Sequence, residues 1–119
     1  MRRTVLVLAA ALSLLCVVPA AAQADWGAIA VDPETGHYGV SSDYNTVAAA
    51  KQRAKNECGS RHCKVAAWVS NGFAALVQKK NGVYYAGIGR TENLARKNAR
   101  RNAHDSGARY ITSVFSGYS

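Results

Sequence analysis

The two halves of this 119-residue sequence repeat one another, so any fold for it must place one supersecondary unit twice. At an offset of 45 residues, Thr46 matches Thr91, Ala50 matches Ala95, and Ala54 matches Ala99. Cys58 and Cys63 match Ala103 and Ala108, and the joint loss of both sulfurs is what a single bridge with no separate task predicts. Upstream the offset slips by a residue, so that Gly27-Ala28 matches Phe73-Ala74 or Gly72-Phe73.

Each half reads as strand, turn, strand, helix, strand. Trp26 to Val31 is a short apolar run, Asp32-Pro33-Glu34-Thr35-Gly36 supplies turn chemistry, and His37 to Ser41 returns as a second strand. Thr46 is placed to cap a helix running to about Glu57, with Val47, Ala50, Ala54 and Cys58 on one face and Gly59 to end it. Lys64 to Ser70 closes the half. In the second half, Phe73 to Gln78 and Val83 to Ile88 flank Lys80-Asn81-Gly82, a strong hairpin signal. Thr91 caps the second helix, Glu92 suits the positive end of its dipole, and Ala95, Ala99 and Ala103 form a small-residue stripe. Tyr110 to Phe115 is the final strand.

The Ser70-Asn71-Gly72 turn is expected to lead one half directly into the next, so that both share one sheet. The fold class expected is α+β: an antiparallel sheet with both helices packed on one face, and two tandem strand-strand-helix-strand repeats related by approximate two-fold symmetry. Alanine-lined helices approach closely, leaving core bulk to Trp26, Ile29, Trp68, Leu76, Ile88 and Ile111.

The N-terminus has a different character. Arg2 and Arg3 precede an apolar run from Val5 to Val18, then Pro19 and a string of alanines, the pattern of a secretory signal peptide. The run is short for a membrane span, and Ala22-Gln23-Ala24 places cleavage before Asp25. Bulky Leu15 before Cys16 fits a lipoprotein site poorly, so release rather than lipid anchoring is expected. Residues 1–24 are then the signal peptide and residues 25–119 one secreted or periplasmic domain, with repeat halves at about 26–70 and 72–115. No later segment is apolar enough to span a bilayer. The 15 basic residues fall to 13 without Arg2 and Arg3, and against 7 acids the mature chain keeps a formal charge of +6.

The mature chain holds two cysteines, Cys58 and Cys63, separated by Gly59-Ser60-Arg61-His62. A disulfide is the simplest reading for an exported chain. The rival is a metal site using Cys58, Cys63, His62 and His37 or His104. No second ligand pair at motif spacing accompanies the cysteines, so no metal and no cofactor is expected.

Trp26-Gly27-Ala28-Ile29-Ala30, the pair Tyr38-Gly39, Thr46 before an alanine-rich helix, and Cys58-Gly59 leading to Cys63-Lys64-Val65 together resemble a small exported bacterial family known as domain of unknown function 4189. The resemblance covers essentially the whole mature chain. It implies secretion and a repeated α+β domain, and it supplies no reaction and no catalytic residues. Family members often carry further cysteines in the second half, where this sequence has Ala103 and Ala108.

The residues themselves offer little catalytic chemistry. His104-Asp105 is the one adjacent pair of interest, and at a helix end His104 more simply complements the dipole. His37 and His62 read as solvated loop residues, and Gly87-Ile88-Gly89 lacks the third glycine of a dinucleotide loop. No catalytic residue is assigned.

The basic residues are sharper: Arg96, Lys97, Arg100 and Arg101 fall on one arc of the second helix, away from its alanine stripe. Lys51 and Lys55, with Arg53 nearby, repeat the pattern more weakly on the first. Such an arc suits an anionic envelope polymer, acidic lipid head groups, nucleic acid or an acidic protein, and it equally suits a solvated face. Tyr84 and Tyr85 are adjacent on a strand and so face opposite ways. With Tyr38, Tyr44 and Tyr118 they suit stacking on sugars or peptides.

Two functional classes stay open. One is a non-enzymatic binding or effector module acting outside the cytoplasm through Arg96, Lys97, Arg100, Arg101, Tyr84 and Tyr85, a monomer by default. The alternative is a small secreted hydrolase acting on cell wall or nucleic acid, drawing on Asp43, Glu57, His104 or Asp105. A purely structural envelope protein is a third reading, which the sequence does not separate from the first.

Overall fold

Thr46 and Thr91 begin the two helices in the same way. Each sits in extended backbone and accepts a hydrogen bond at its side-chain oxygen, from Ala49 N–H and Leu94 N–H respectively, both at 3.1 Å. Each helix also ends on a left-handed residue, Gly59 (φ 80°) and His104 (φ 54°), whose N–H returns to the last turn. In the computed structural model, which describes residues 25–117, these helices are α1 (Val47–Cys58) and α2 (Glu92–Ala103). The expected signal peptide lies outside the described residues.

Among the described residues six strands accompany them: β1 (Trp26–Val31), β2 (Tyr38–Tyr44), β3 (Lys64–Ser70), β4 (Gly72–Gln78), β5 (Tyr84–Gly89) and β6 (Arg109–Ser116). The strand-strand-helix-strand unit therefore occurs twice, and the chain is α+β. β2 extends past Ser41 to Tyr44, and the last strand takes in Arg109 and Ser116.

The layering differs from the single sheet with both helices on one face. There are two antiparallel three-stranded sheets, β2-β1-β3 and β5-β4-β6. The reason lies in the central strands. Ala28 and Ala30 of β1 pack with Ala50, Ala54, Cys58 and Cys63, on the side where α1 lies. Ile29 and Val31, on the opposite face of the strand, pack with Ala74 and Leu76 of β4. Val77 of β4 in turn meets Ala99, Ala103 and Ala108 on the α2 side.

Both central strands are thus apolar on both faces, and a lone sheet with helices on one side would leave the second face in water. The chain resolves this by stacking helix, sheet, sheet, helix. Asn71, at φ 58°, makes the turn through which β3 of one sheet leads into β4 of the other.

The helices come close because the strand surface beneath them is bare. A Cβ at Gly87 would lie 2.2 Å from Ala99 N, and one at Gly39 would lie 2.4 Å from both Ala54 O and Cys58 N. Ile29 and Leu76 are fully buried, as expected. Trp68 and Ile88 are instead 46% and 50% exposed, because they sit on β3 and β5, the edges of their sheets. Trp26 and Ile111 are partly buried against the core.

Cys58 and Cys63 form the expected disulfide. Their loop is tied back to the first hairpin through Asp32, which is buried. One of its carboxylate oxygens accepts from Ser60 Oγ and the other from Glu34 N–H at 2.9 Å. At the far end of the sandwich, Asp43 N–H of β2 donates to Ser116 Oγ of β6 at 2.9 Å, joining the two sheets.

Candidate functional site

Stacking the helices on opposite outer layers separates the two basic arcs. α1 covers β1 and β2 while α2 covers β5 and β4, so Lys51, Arg53 and Lys55 do not adjoin the cations of α2. Arg53 is further occupied by Glu57 at 2.6 Å, an exposed ion pair one helical turn apart.

The arc on α2 divides into two kinds of cation. Arg96 is committed to the protein: its guanidinium lies 3.8 Å from the centre of the Tyr110 ring and donates to Glu92 Oε2 at 2.7 Å. The same Glu92 oxygen accepts from Ser113 Oγ at 3.0 Å and from Tyr110 Oη at 3.3 Å. These contacts hold the Glu92 carboxyl below its ordinary range, chiefly through Arg96 and then Ser113, and raise the Arg96 guanidinium above its own, chiefly through Glu92.

Arg100 is committed too, donating from Nε to Ala108 O at 3.0 Å and so closing the loop after the helix. Lys97 and Arg101 are exposed, with neither an ion pair nor a side-chain hydrogen bond among the described residues. A shallow trough runs along this face, bounded by Asn93, Lys97, Arg101, His104 and Asp105.

Within that trough His104 and Asp105 serve the backbone. His104 is the left-handed cap of α2, and the Asp105 carboxylate accepts from Gly107 N–H at 2.9 Å. Asp43 stands near the C-terminal end of β2, itself left-handed at φ 64°, and Glu57 is on α1 in the other outer layer. The four carboxylate and imidazole candidates therefore do not meet in one cleft. Among the described residues no group of three or more histidine, cysteine or acidic side chains is placed to hold a metal ion.

Tyr84 and Tyr85 face opposite ways, as adjacency on a strand requires. Tyr85 packs against Val77 and the alanines of α2, and Tyr84 packs into the inter-sheet core. Tyr84 also borders a groove at the seam of the two sheets, together with Tyr38, Tyr110, Gln78 and Arg109. Tyr44 packs beside the α1 core, and Tyr118 lies outside the described residues. Sequence reasoning missed the Glu92–Arg96–Tyr110–Ser113 cluster. The four-residue spacing of Glu92 and Arg96 was its one readable signal, since that spacing pairs opposite charges on a helix.

A family model described as a domain of unknown function (DUF4189) matches residues 26–114. The chain belongs to the DUF4189 family. The match spans every element of the DUF4189 fold described above, from β1 into β6. The chain is similar to the NMR structure of Rv1813c from Mycobacterium tuberculosis, with 27% identity and a TM-score of 0.64, covering 82% of this chain and 80% of that one. No curated protein matches this DUF4189 member. No helix among the described residues is long and apolar enough to cross a membrane, and the disulfide is chemistry of an oxidising setting.

Proposed function

We propose that this DUF4189 protein is a non-enzymatic binding module, exported through residues 1–24, that takes an anionic partner of the cell envelope along the outer face of α2. The observation that supports this reading is the pairing of free and fixed cations on one helix. Lys97 and Arg101 are solvated and available, while Arg96 and Arg100 are held by Glu92, Tyr110 and Ala108 O. The committed residues fix the helix surface, and the free ones supply charge at positions that cost no internal contact.

The experiment is cosedimentation of the oxidised protein with purified envelope fractions at low and high salt. Wild type is compared with a variant carrying Lys97→Glu and Arg101→Glu, which spares the structural arginines. Saturable binding that weakens with salt and is lost in the variant supports the reading. Equal binding by both proteins, or none by either, reduces the arc to a solvated face.

A further inference from the structure

The groove at the seam of the two sheets is separate from the α2 trough and is built by both halves of the repeat. Tyr38 comes from β2, Tyr84 from β5, and Arg109 and Tyr110 from the start of β6. Gln78, at the end of β4, also lines it, and Glu34 comes from the β1–β2 turn. Its volume of about 580 Å³ falls in the range of small-ligand sites, roughly 300–1,000 Å³.

Its side chains are positioned by contacts of their own. Gln78 accepts from Arg109 at 2.6 Å through its amide oxygen and donates to Gly82 O at 3.2 Å through its amide nitrogen. Tyr110 edges the groove, but its ring and hydroxyl turn to α2, where Arg96, Glu92 and Ser113 hold them. The β1–β2 turn passes close over Tyr84, since a Cβ at Gly36 would lie 3.3 Å from the Tyr84 hydroxyl. Asp32, through Glu34 N–H and Ser60 Oγ, braces that turn against the disulfide loop. Tyr38 remains 44% exposed at the rim.

The chemistry of this lining selects a ligand class. Tyrosine rings offer flat faces for stacking and hydroxyl groups for hydrogen bonds. Arg109 donates, Glu34 accepts, and Gln78 does both, while the two charges offset each other. A ligand that matches must be uncharged, must carry many donors and acceptors together, and must present flat C–H faces. Pyranose rings have all three properties. An apolar peptide side chain would find the lining too polar, and a polyanion would meet Glu34.

The geometry points to this groove as a binding site for a neutral or N-acetylated oligosaccharide, stacked on Tyr38 and Tyr84 and hydrogen-bonded by Arg109 and Glu34. It acts alongside the cationic trough on α2 and does not depend on it.

The test is an NMR titration of the isotopically labelled, oxidised protein at high salt. The probes are an N-acetylglucosamine hexamer, a cellohexaose and, as the peptide arm, tetra-alanine. The expected result is a saturable shift of amides around Tyr38, Tyr84 and Arg109 with at least one sugar, unaffected by Lys97→Glu with Arg101→Glu. Tyr38→Ala and Arg109→Ala each weaken it about tenfold, as loss of one stacking or charged contact predicts. Both side chains are exposed, and if either variant fails to fold the other decides. No saturable shift with either sugar, shifts elsewhere on the surface, undiminished affinity in the folded variants, or shifts of these amides with tetra-alanine alone would overturn the assignment.

Discussion

Arg96 lies over the face of Tyr110, 3.8 Å from the ring centre, while Lys51, at the matching position of the first half, lies 3.7 Å from the ring centre of Trp68. The repeat preserves the cation and changes the aromatic: the counterpart of Tyr110 is Val65, and the counterpart of Trp68 is Ser113. Both aromatics come from the closing strand of their half. Only the second half adds a carboxylate, Glu92, where the first has Val47.

The adjacent cations Arg96 and Lys97 are therefore expected to respond differently to truncation. Arg96→Ala removes the ion-pair partner of Glu92, leaving it only the Ser113 and Tyr110 hydroxyls, and uncovers the Tyr110 ring, so the thermal unfolding midpoint falls. Lys97→Ala stays within about 0.5 kcal/mol of wild type, as an exposed substitution away from structural contacts should. Denaturant unfolding of the two variants checks the contrast, and equal losses would contradict it.

Acid should destabilise the protein through two named carboxylates. The Asp32 carboxyl is held below its ordinary value, first by Ser60 and then by the Glu34 N–H, and that of Glu92 first by Arg96. A depressed carboxylate contributes stability that is fully present above its unfolded value of about 4 and is lost as pH falls through the lower folded value. Midpoints measured from neutral pH downward should drop on this limb. Asp32→Asn should lower the neutral-pH midpoint and make the acid limb shallower.

Gly87→Ala tests the helix-to-sheet approach. The added methyl would lie 2.2 Å from Ala99 N and 2.8 Å from Ala95 O, both backbone atoms that move only with α2. A loss of about 1–3 kcal/mol or more is expected. Gly107→Ala, whose new methyl meets nothing closer than Asp105 Oδ1 at 3.6 Å, is the tolerated control.

His104→Gly should stabilise the protein by up to about 1 kcal/mol. His104 holds the left-handed cap that Gly59 holds in the first half, at a conformation that favours glycine. The same variant reports on catalysis. A hydrolytic activity lost in this well-folded protein would place His104 in an active site.

Opening the disulfide by Cys58→Ser with Cys63→Ser should cost roughly 2 kcal/mol in the chain-entropy model, since the bridged cysteines are only 5 residues apart. Amide exchange should rise in the Asp32–His37 turn as well as in the loop, because Ser60 of that loop donates to Asp32.

The local features of this protein could be read from its sequence because short-range physics decides them. Thr46 and Thr91 cap helices through contacts three residues away, Gly59 ends one through a left-handed turn, and Asn81-Gly82 makes a hairpin. The alanine stripes on both helices and the Cys58–Cys63 pair followed from spacing and from the repeat. The placement of Arg96, Lys97, Arg100 and Arg101 on one helix was legible too, since a helical arc can be counted from the chain.

What the chain alone did not decide was which layer covers which face, and hence which side chains converge. Ala28-Ile29-Ala30-Val31 and Ala74-Ala75-Leu76-Val77 run apolar without alternation, the mark of a strand buried on both sides, yet such a run does not name its covers. Tertiary packing chose a helix for the alanine face of β1 and a second sheet for the Ile29 and Val31 face. That choice set the two basic helices apart on opposite outer layers. It also brought Tyr38 of one half to Tyr84 and Arg109 of the other, a meeting that depends on contacts distant in the chain.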